Sequence, residues 1–187
     1  METTKIKRNT KETQIEAELN LYGAGLANIN TGIGFFDHML TLFAKHGGFD
    51  IILSCSGDTQ VDDHHTLEDC GIVLGLAFKK ALGDFSGITR FGNACVPMDE
   101  CLCRAVVDIS NRPYIVYDVS TNKYSEYGEF FQAFAFNAGI NMHITLLYGE
   151  NAHHKLEAAF KSLARAMRMA VSKDPRVSGI PSTKGVL

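Results

Sequence analysis

No apolar run in the 187-residue chain approaches the roughly 18 residues that a membrane-spanning helix needs. The opening residues, Met1-Glu2-Thr3-Thr4-Lys5, are polar and hold no signal-peptide core. Positive charge is not in excess. With 18 basic and 21 acidic residues the net charge is −3, which argues against the broad basic face of a general nucleic-acid binder. A disulfide framework is also missing. The cysteines (Cys55, Cys70, Cys95, Cys101 and Cys103) are odd in number and scattered through apolar runs, so they read as buried thiols of a reducing compartment. Cys101-Leu102-Cys103 has the look of half a metal site, but there is no second cysteine pair, and alternation along a strand accounts for it. These absences lead us to expect a cytoplasmic protein with neither membrane nor nucleic acid as partner. A hydrophobic content of 45% with 21% charged residues is that of a folded domain. At this length a domain buries roughly 70% of the surface of its unfolded chain, enough for a core of its own.

Patterning predicts the elements. Ile15, Ala17, Leu19 and Leu21 alternate with polar residues, as in a half-buried strand. Residues 35–45 place Phe36, Met39, Leu40 and Phe43 on one helical face, and Gly47-Gly48 ends that helix. A β-rich run follows over 49–55, and then a long helix over 64–82, with Asp62-Asp63 offering capping oxygens. The second half predicts strands over 86–91, 101–109 and 113–119, a helix over 125–138 stopped by Gly139, a strand over 140–147 and a long helix over 152–172. The two long helices superpose at a shift of 89 residues: His64-His65 on His153-His154, Leu67 on Leu156, Glu68 on Glu157, Leu74 on Leu163. The expectation is an α/β chain of internally duplicated strands-helix-strand-helix units, forming two sheets with helices packed between or against them. It is a single domain, 1–187, of two structural repeats, about 1–85 and 86–187.

The strongest chemical signal is His-His-x-x-Glu, present twice as His64, His65, Glu68 and as His153, His154, Glu157. On a helix, residues four apart differ by about 40° and three apart by about 60°. The spacing therefore predicts two imidazoles and a carboxylate pointing one way from each long helix. Such mixed donors suit zinc, manganese or iron. One pair alone would read as solvated histidines; two in register within a duplication read as ligands. Six ligands suggest two metals, each short of a full shell. His38 opens the first short helix and Glu129 the second, and they bring the donors to eight, four per metal. His46, at the end of the first short helix, is a ligand, a substrate contact or a cation at a helix C-terminus.

With these residues in view, the sequence resembles the imidazoleglycerol-phosphate dehydratases over essentially its whole length. The resemblance is carried by Lys11-Glu12-Thr13, Phe36-Asp37-His38-Met39-Leu40 through His46-Gly47, Asp63-His64-His65-Thr66-Leu67-Glu68-Asp69, and Arg90-Phe91-Gly92. It continues with Asn111-Arg112-Pro113-Tyr114, Glu129-Phe130-Phe131, His153-His154-Lys155-Leu156-Glu157 through Lys161, and Pro181-Ser182-Thr183-Lys184-Gly185. It implies a manganese-dependent hydro-lyase of histidine biosynthesis that converts D-erythro-imidazole glycerol phosphate to imidazole acetol phosphate. It further implies two Mn²⁺ per active site and a homo-oligomer of 24 subunits with sites at subunit interfaces. The implied metal ligands are His38, His64, His65, Glu68, Glu129, His153, His154 and Glu157. Many relatives carry His where this chain has Glu129; glutamate can ligate manganese, so the site is expected to persist with altered affinity.

The chemistry accounts for such a set. The proton leaving the glycerol arm has no carbonyl beside it and is not acidic. An imidazole held through both nitrogens by two Lewis acids can become imidazolate and expel the adjacent hydroxyl. By resemblance Glu12 is the acid/base beside the substrate, and Glu157 could share proton transfer while ligating metal. The resemblance also implies that His38, His46, His64, His65 and His153 contact the substrate, that Arg90, Arg112, Ser182, Thr183 and Lys184 bind its phosphate, and that Lys161 reaches out along it. Two other readings compete. A metal-storage assembly would have no use for the phosphate-binding cations, and a di-iron helical bundle fits poorly with strands between the helices.

Overall fold

The computed structural model describes residues 3–187; Met1 and Glu2 of the polar opening lie outside them. Eight strands and four helices follow in the order β1 (Thr4–Asn9), β2 (Thr13–Asn20), β3 (Ala27–Asn30), α1 (Gly34–Gly47), β4 (Asp50–Gly57), α2 (His64–Leu82), β5 (Phe91–Met98), β6 (Cys101–Asp108), β7 (Tyr114–Asp118), α3 (Tyr127–Ala138), β8 (Asn141–Tyr148) and α4 (Ala152–Val171). They form two four-stranded sheets, ordered β1-β2-β4-β3 and β5-β6-β8-β7. In each sheet the last pair, β3 with β4 and β7 with β8, is parallel and the others are antiparallel. The architecture is the expected α/β one.

Alternation decides which face of each sheet is buried. Ile15, Ala17 and Leu19 of β2 are buried, as are Cys101, Cys103, Ala105 and Val107 of β6. Cys101 and Cys103 are thus inward-facing strand positions. Cys95 is not buried as expected; it is exposed because it lies on the outer face of β5. The helices fill the space inside. α2 packs on β1, β2 and β4, and α4 packs on β5, β6 and β8, while across the midline α2 meets α3 and α1 meets α4. Phe43, Phe49, Phe78 and Phe134 meet edge to face or tilted, joining helices of both halves in one core.

The long helices fall where the pattern puts them. The expected strand over 86–91 is a connection instead: Phe85, Gly87 and Arg90 have positive φ, and the strand runs over Phe91–Met98. Its inner face starts with Gly92 and Ala94, small residues that let α4 lie close and leave almost no apolar alternation to read. Asp63 makes no capping bond; Asp62 Oδ1 accepts from His64 N at 2.9 Å in its place.

The α2–α3 contact is made through backbone. A Cβ on Gly71 would lie 2.6 Å from Phe130 O, and one on Gly75 would lie 2.7 Å from Phe134 O. Gly71→Ala is therefore expected to push the helices apart and lower stability by about 1–3 kcal/mol, as overpacked cores do. Chemical denaturation would measure it, and unchanged stability would refute the close-contact account.

Candidate functional site

The short helices end alike, with Gly48 and Gly139 in left-handed conformation as C-caps. Laying one cap on the other places His38 on Glu129 and Phe43 on Phe134, a shift of 91 residues. The long helices keep their shift of 89, because the connection from β8 to α4 is shorter than that from β4 to α2. Each of the two acidic or imidazole side chains near the start of a short helix faces a long helix of the opposite half.

At one end, α1 and α4 bring together His38, His153 and Glu157. One ligand atom from each lies within 4.8 Å of the others, the only such group among the described residues. Glu157 Oε2 is 3.1 Å from His153 Nε2 and 3.6 Å from His38 Nε2. Phe35 closes one side, edge-on to His153 at 5.0 Å between ring centroids and stacked on Tyr124 at 4.4 Å. Asn151 caps α4 and accepts from His153 N and His154 N, which fixes the start of the helix that carries His153 and Glu157.

Glu157 is almost fully buried and also ion-pairs with Lys161, one turn along α4. Burial opposes its ionisation. The hydrogen bond and charge of Lys161, aided by His153, outweigh burial and hold the carboxyl below its ordinary range. Lys161 thus sits beside the cluster. His46, two turns from His38 on α1, lies near Lys161, Arg165 and Glu157; burial, then the charges of Lys161 and Arg165, push its imidazole below its ordinary value.

At the other end, α2 and α3 bring Glu68 and Glu129 to the wall of one pocket of about 180 Å³, and His64 Nε2 is 3.5 Å from Glu68 Oε2. In each long helix, then, the first histidine pairs with the glutamate four residues on. The second does not join them, contrary to the helical-face expectation. Adjacent residues differ by about 100° around a helix, and the rings of His64 and His65 stand nearly perpendicular. His65 turns to Asp58, with Nδ1 at 3.1 Å from Oδ2, while Glu12 Oε1 stands 3.9 Å from Nε2. His154 turns to Glu100, with Nδ1 at 2.7 Å from Oε2, while Asp99 Oδ2 stands 3.7 Å from Nε2. These bonds raise both imidazoles above their ordinary value, chiefly through Asp58 and Glu100. Glu100 is held far below the usual carboxylate range by His154 and then by the backbone of Asn151. Asp58, Asp99 and Glu100 escaped the sequence reading, although Glu100 falls on Glu12 at the shift of 88 that relates β2 to β6.

The expected phosphate ligands gather elsewhere. Arg90, Arg112, Ser182, Thr183 and Lys184 line an open pocket of about 380 Å³. The Arg90 fork is already engaged: Nε and Nη2 donate to Asp108 at 2.7 and 3.2 Å, and Nη1 donates to Pro181 O at 2.8 Å. Arg90 therefore ties the C-terminal segment down, while Arg112 is exposed. Arg90 N donates to Ala170 O in the last turn of α4, whereas His153 is in its first. At 1.5 Å per residue the pocket lies about 25 Å along the helix from the His38–His153–Glu157 cluster.

The family model for imidazoleglycerol-phosphate dehydratase matches residues 31–167. The imidazoleglycerol-phosphate dehydratase of Pelobacter propionicus is 58% identical over 193 residues, covering 99% of this chain and 98% of that protein. That of Clostridium botulinum strain Okra is 56% identical over 190 residues, covering 98% and 97%. The crystal structure of the Pyrococcus furiosus protein aligns with a TM-score of 0.83 at 41% identity, covering 97% of this chain and all of the other. That of the Staphylococcus aureus enzyme aligns with a TM-score of 0.82 at 37% identity, covering 92% and 100%.

In the metal-free protein, NMR titration should find the imidazole of His46 losing its proton below the ordinary pH of about 6.5, and those of His65 and His154 above it. The stability contributed by the His154–Glu100 pair is then greatest between the two ordinary pKa ranges. It falls as acid protonates Glu100 and as base deprotonates His154. A midpoint for His154 below that of His46 would contradict the assigned partners.

Proposed function

The chain belongs to the imidazoleglycerol-phosphate dehydratase family, and on that premise we propose that it removes water from the glycerol arm of D-erythro-imidazole glycerol phosphate, giving imidazole acetol phosphate in histidine biosynthesis. It works as a single dehydratase domain of two structural repeats, about 1–85 and 86–187, and as a cytoplasmic, manganese-dependent hydro-lyase. The observation that carries this reading is the convergence of His38, His153 and Glu157 within 4.8 Å. Two imidazoles and a carboxylate at that separation fit a divalent first-row cation with room left for substrate. His64, Glu68 and Glu129 are the matching set at the other end, and His65 and His154 supply the remaining donors. Two Mn²⁺ ions held by these residues would supply Lewis acidity to the substrate.

The side chains do the rest. His38, His64, His65 and His153 surround the imidazole ring, and His46 extends that wall along α1. Glu12 is exposed on the β1–β2 turn and free to take the proton from the arm. Glu157, kept ionised by Lys161, shares proton transfer near the ring. Arg112, Ser182, Thr183 and Lys184 receive the phosphate, with Arg90 bracing the segment that carries them and Lys161 reaching the substrate from the cluster side. A metal-storage protein would have no use for that cationic pocket.

One small phosphorylated imidazole cannot reach both the cluster and a pocket about 25 Å along the same helix. This separation supports a homo-oligomer, 24 subunits by family resemblance, in which the phosphate pocket of one copy serves the metals of another.

His153→Ala should lose bound metal and activity together, as measured by metal analysis and turnover; full turnover in this variant would reject the ligand assignment. Arg112→Ala should raise KM about tenfold or more, the loss of a charge-assisted bond, with metal content unchanged. Co-assembling these two impaired variants should restore part of the activity, since some pockets then receive an intact half from each. No recovery in confirmed mixed assemblies would place the whole site in one chain.

A further inference from the structure

We infer that Asp58 and Glu100 are positioning residues. Each clamps Nδ1 of the second histidine of its pair, so that His65 and His154 present Nε2, and only Nε2, to an ion. The inference rests on the metal-binding reading above, but its geometry is independent of any ion.

A carboxylate oxygen accepts and does not donate, so the short contact to Nδ1 places the ring proton on that nitrogen. The lone pair is left on Nε2, on the far side of the ring. Outer carboxylates of this kind fix both the tautomer and the orientation of metal-binding histidines. Both histidines show the arrangement. Asp58 holds His65 Nδ1 with both oxygens, at 3.2 and 3.1 Å. Glu100 holds His154 Nδ1 at 2.7 Å with Oε2, while Oε1 accepts from Asn151 N at 2.9 Å and Glu150 N at 3.4 Å. Glu100 is thereby anchored to the residue that caps α4, and the histidine is fixed to its own helix start from outside.

The two carboxylates come from different places in the two halves, which separates this arrangement from a simple copy. Asp58 follows β4; at the shift of 91 relating β4 to β8 its counterpart is Gly149. A Cβ at Gly149 would overlap Cys101, so no carboxylate can be carried there. Glu100, on the β5–β6 turn, fills the role. Its own counterpart in the first half is Glu12, and Glu12 faces Nε2 of His65, not Nδ1. The same bond to Nδ1 is thus made twice from unrelated positions, as a shared requirement would produce.

The test uses the full-length protein, first stripped of metal and held at a pH where imidazole is neutral. Long-range nitrogen–proton NMR should show His65 and His154 with the proton on Nδ1. Glu100→Ala should move the His154 proton to Nε2 and leave His65 alone, and Asp58→Ala should do the reverse. Asp58→Asn, which keeps an acceptor oxygen, should restore the His65 pattern. Manganese titration should then show tenfold to hundredfold weaker binding in each alanine variant, with Asp58→Asn close to the unaltered protein. Unmoved ring protons in a folded alanine variant would overturn the proposal, as would moved protons with metal affinity unchanged. Ring protons that respond as stated in a protein that binds no manganese at all would uphold the clamp and defeat the metal-binding reading instead.

Discussion

Every candidate ligand set depends on helices from opposite halves lying against one another. His38 comes from α1 of the first half and meets His153 and Glu157 on α4 of the second. Glu129 comes from α3 of the second half and shares a pocket with Glu68 on α2 of the first. Neither half holds a complete set. The core that fuses the halves, with its crossed Phe43, Phe78 and Phe134 rings, therefore does more than stabilise the chain. It sets the separation between candidate donors that lie from 61 (Glu68 to Glu129) to 119 (His38 to Glu157) residues apart in sequence.

The two ends are similar without being equal. Two imidazoles and a nearly buried glutamate meet at the first, and the glutamate is balanced by Lys161. At the second, Glu68 lies beside His64 and shares a pocket wall with Glu129, and its side chain is 44% exposed where that of Glu157 is 8% exposed. An exposed polar contact is worth little in water, so this second end gains little from the His64–Glu68 approach in the isolated chain. The phosphate-binding side chains we propose lie far from the first cluster. All three regions remain open toward solvent, as parts of sites shared between copies would be.

Much of this was legible from residue order because it is carried by local pattern. The 3.6-residue periodicity placed α2 and α4 almost to the residue, and the doubled His-His-x-x-Glu fell at their starts. β5 was illegible because its inner face starts with Gly92 and Ala94, whose task is to be small. β1 and β3 each carry only one strongly apolar inward residue, Ile6 and Ile29, too few to show an alternation. Within the site, helical angles showed that Glu68 and Glu157 share a side with a histidine. They could not show that His65 and His154 turn away, because the carboxylates that draw them lie on other loops. Nor could spacing reveal that the Arg90 fork is taken by Asp108 and Pro181.

The meeting of α2 with α3 through Gly71 and Gly75 has a consequence for how freely the surrounding sequence can vary. Where helices touch through side chains, each exchange of one apolar residue for another shifts the axes slightly. Where they touch through main chain, those shifts have no layer in which to accumulate. The gap between Glu68 and Glu129 is thus referenced to peptide groups, which do not mutate. The interior around them can drift while the spacing of the donors is inherited intact.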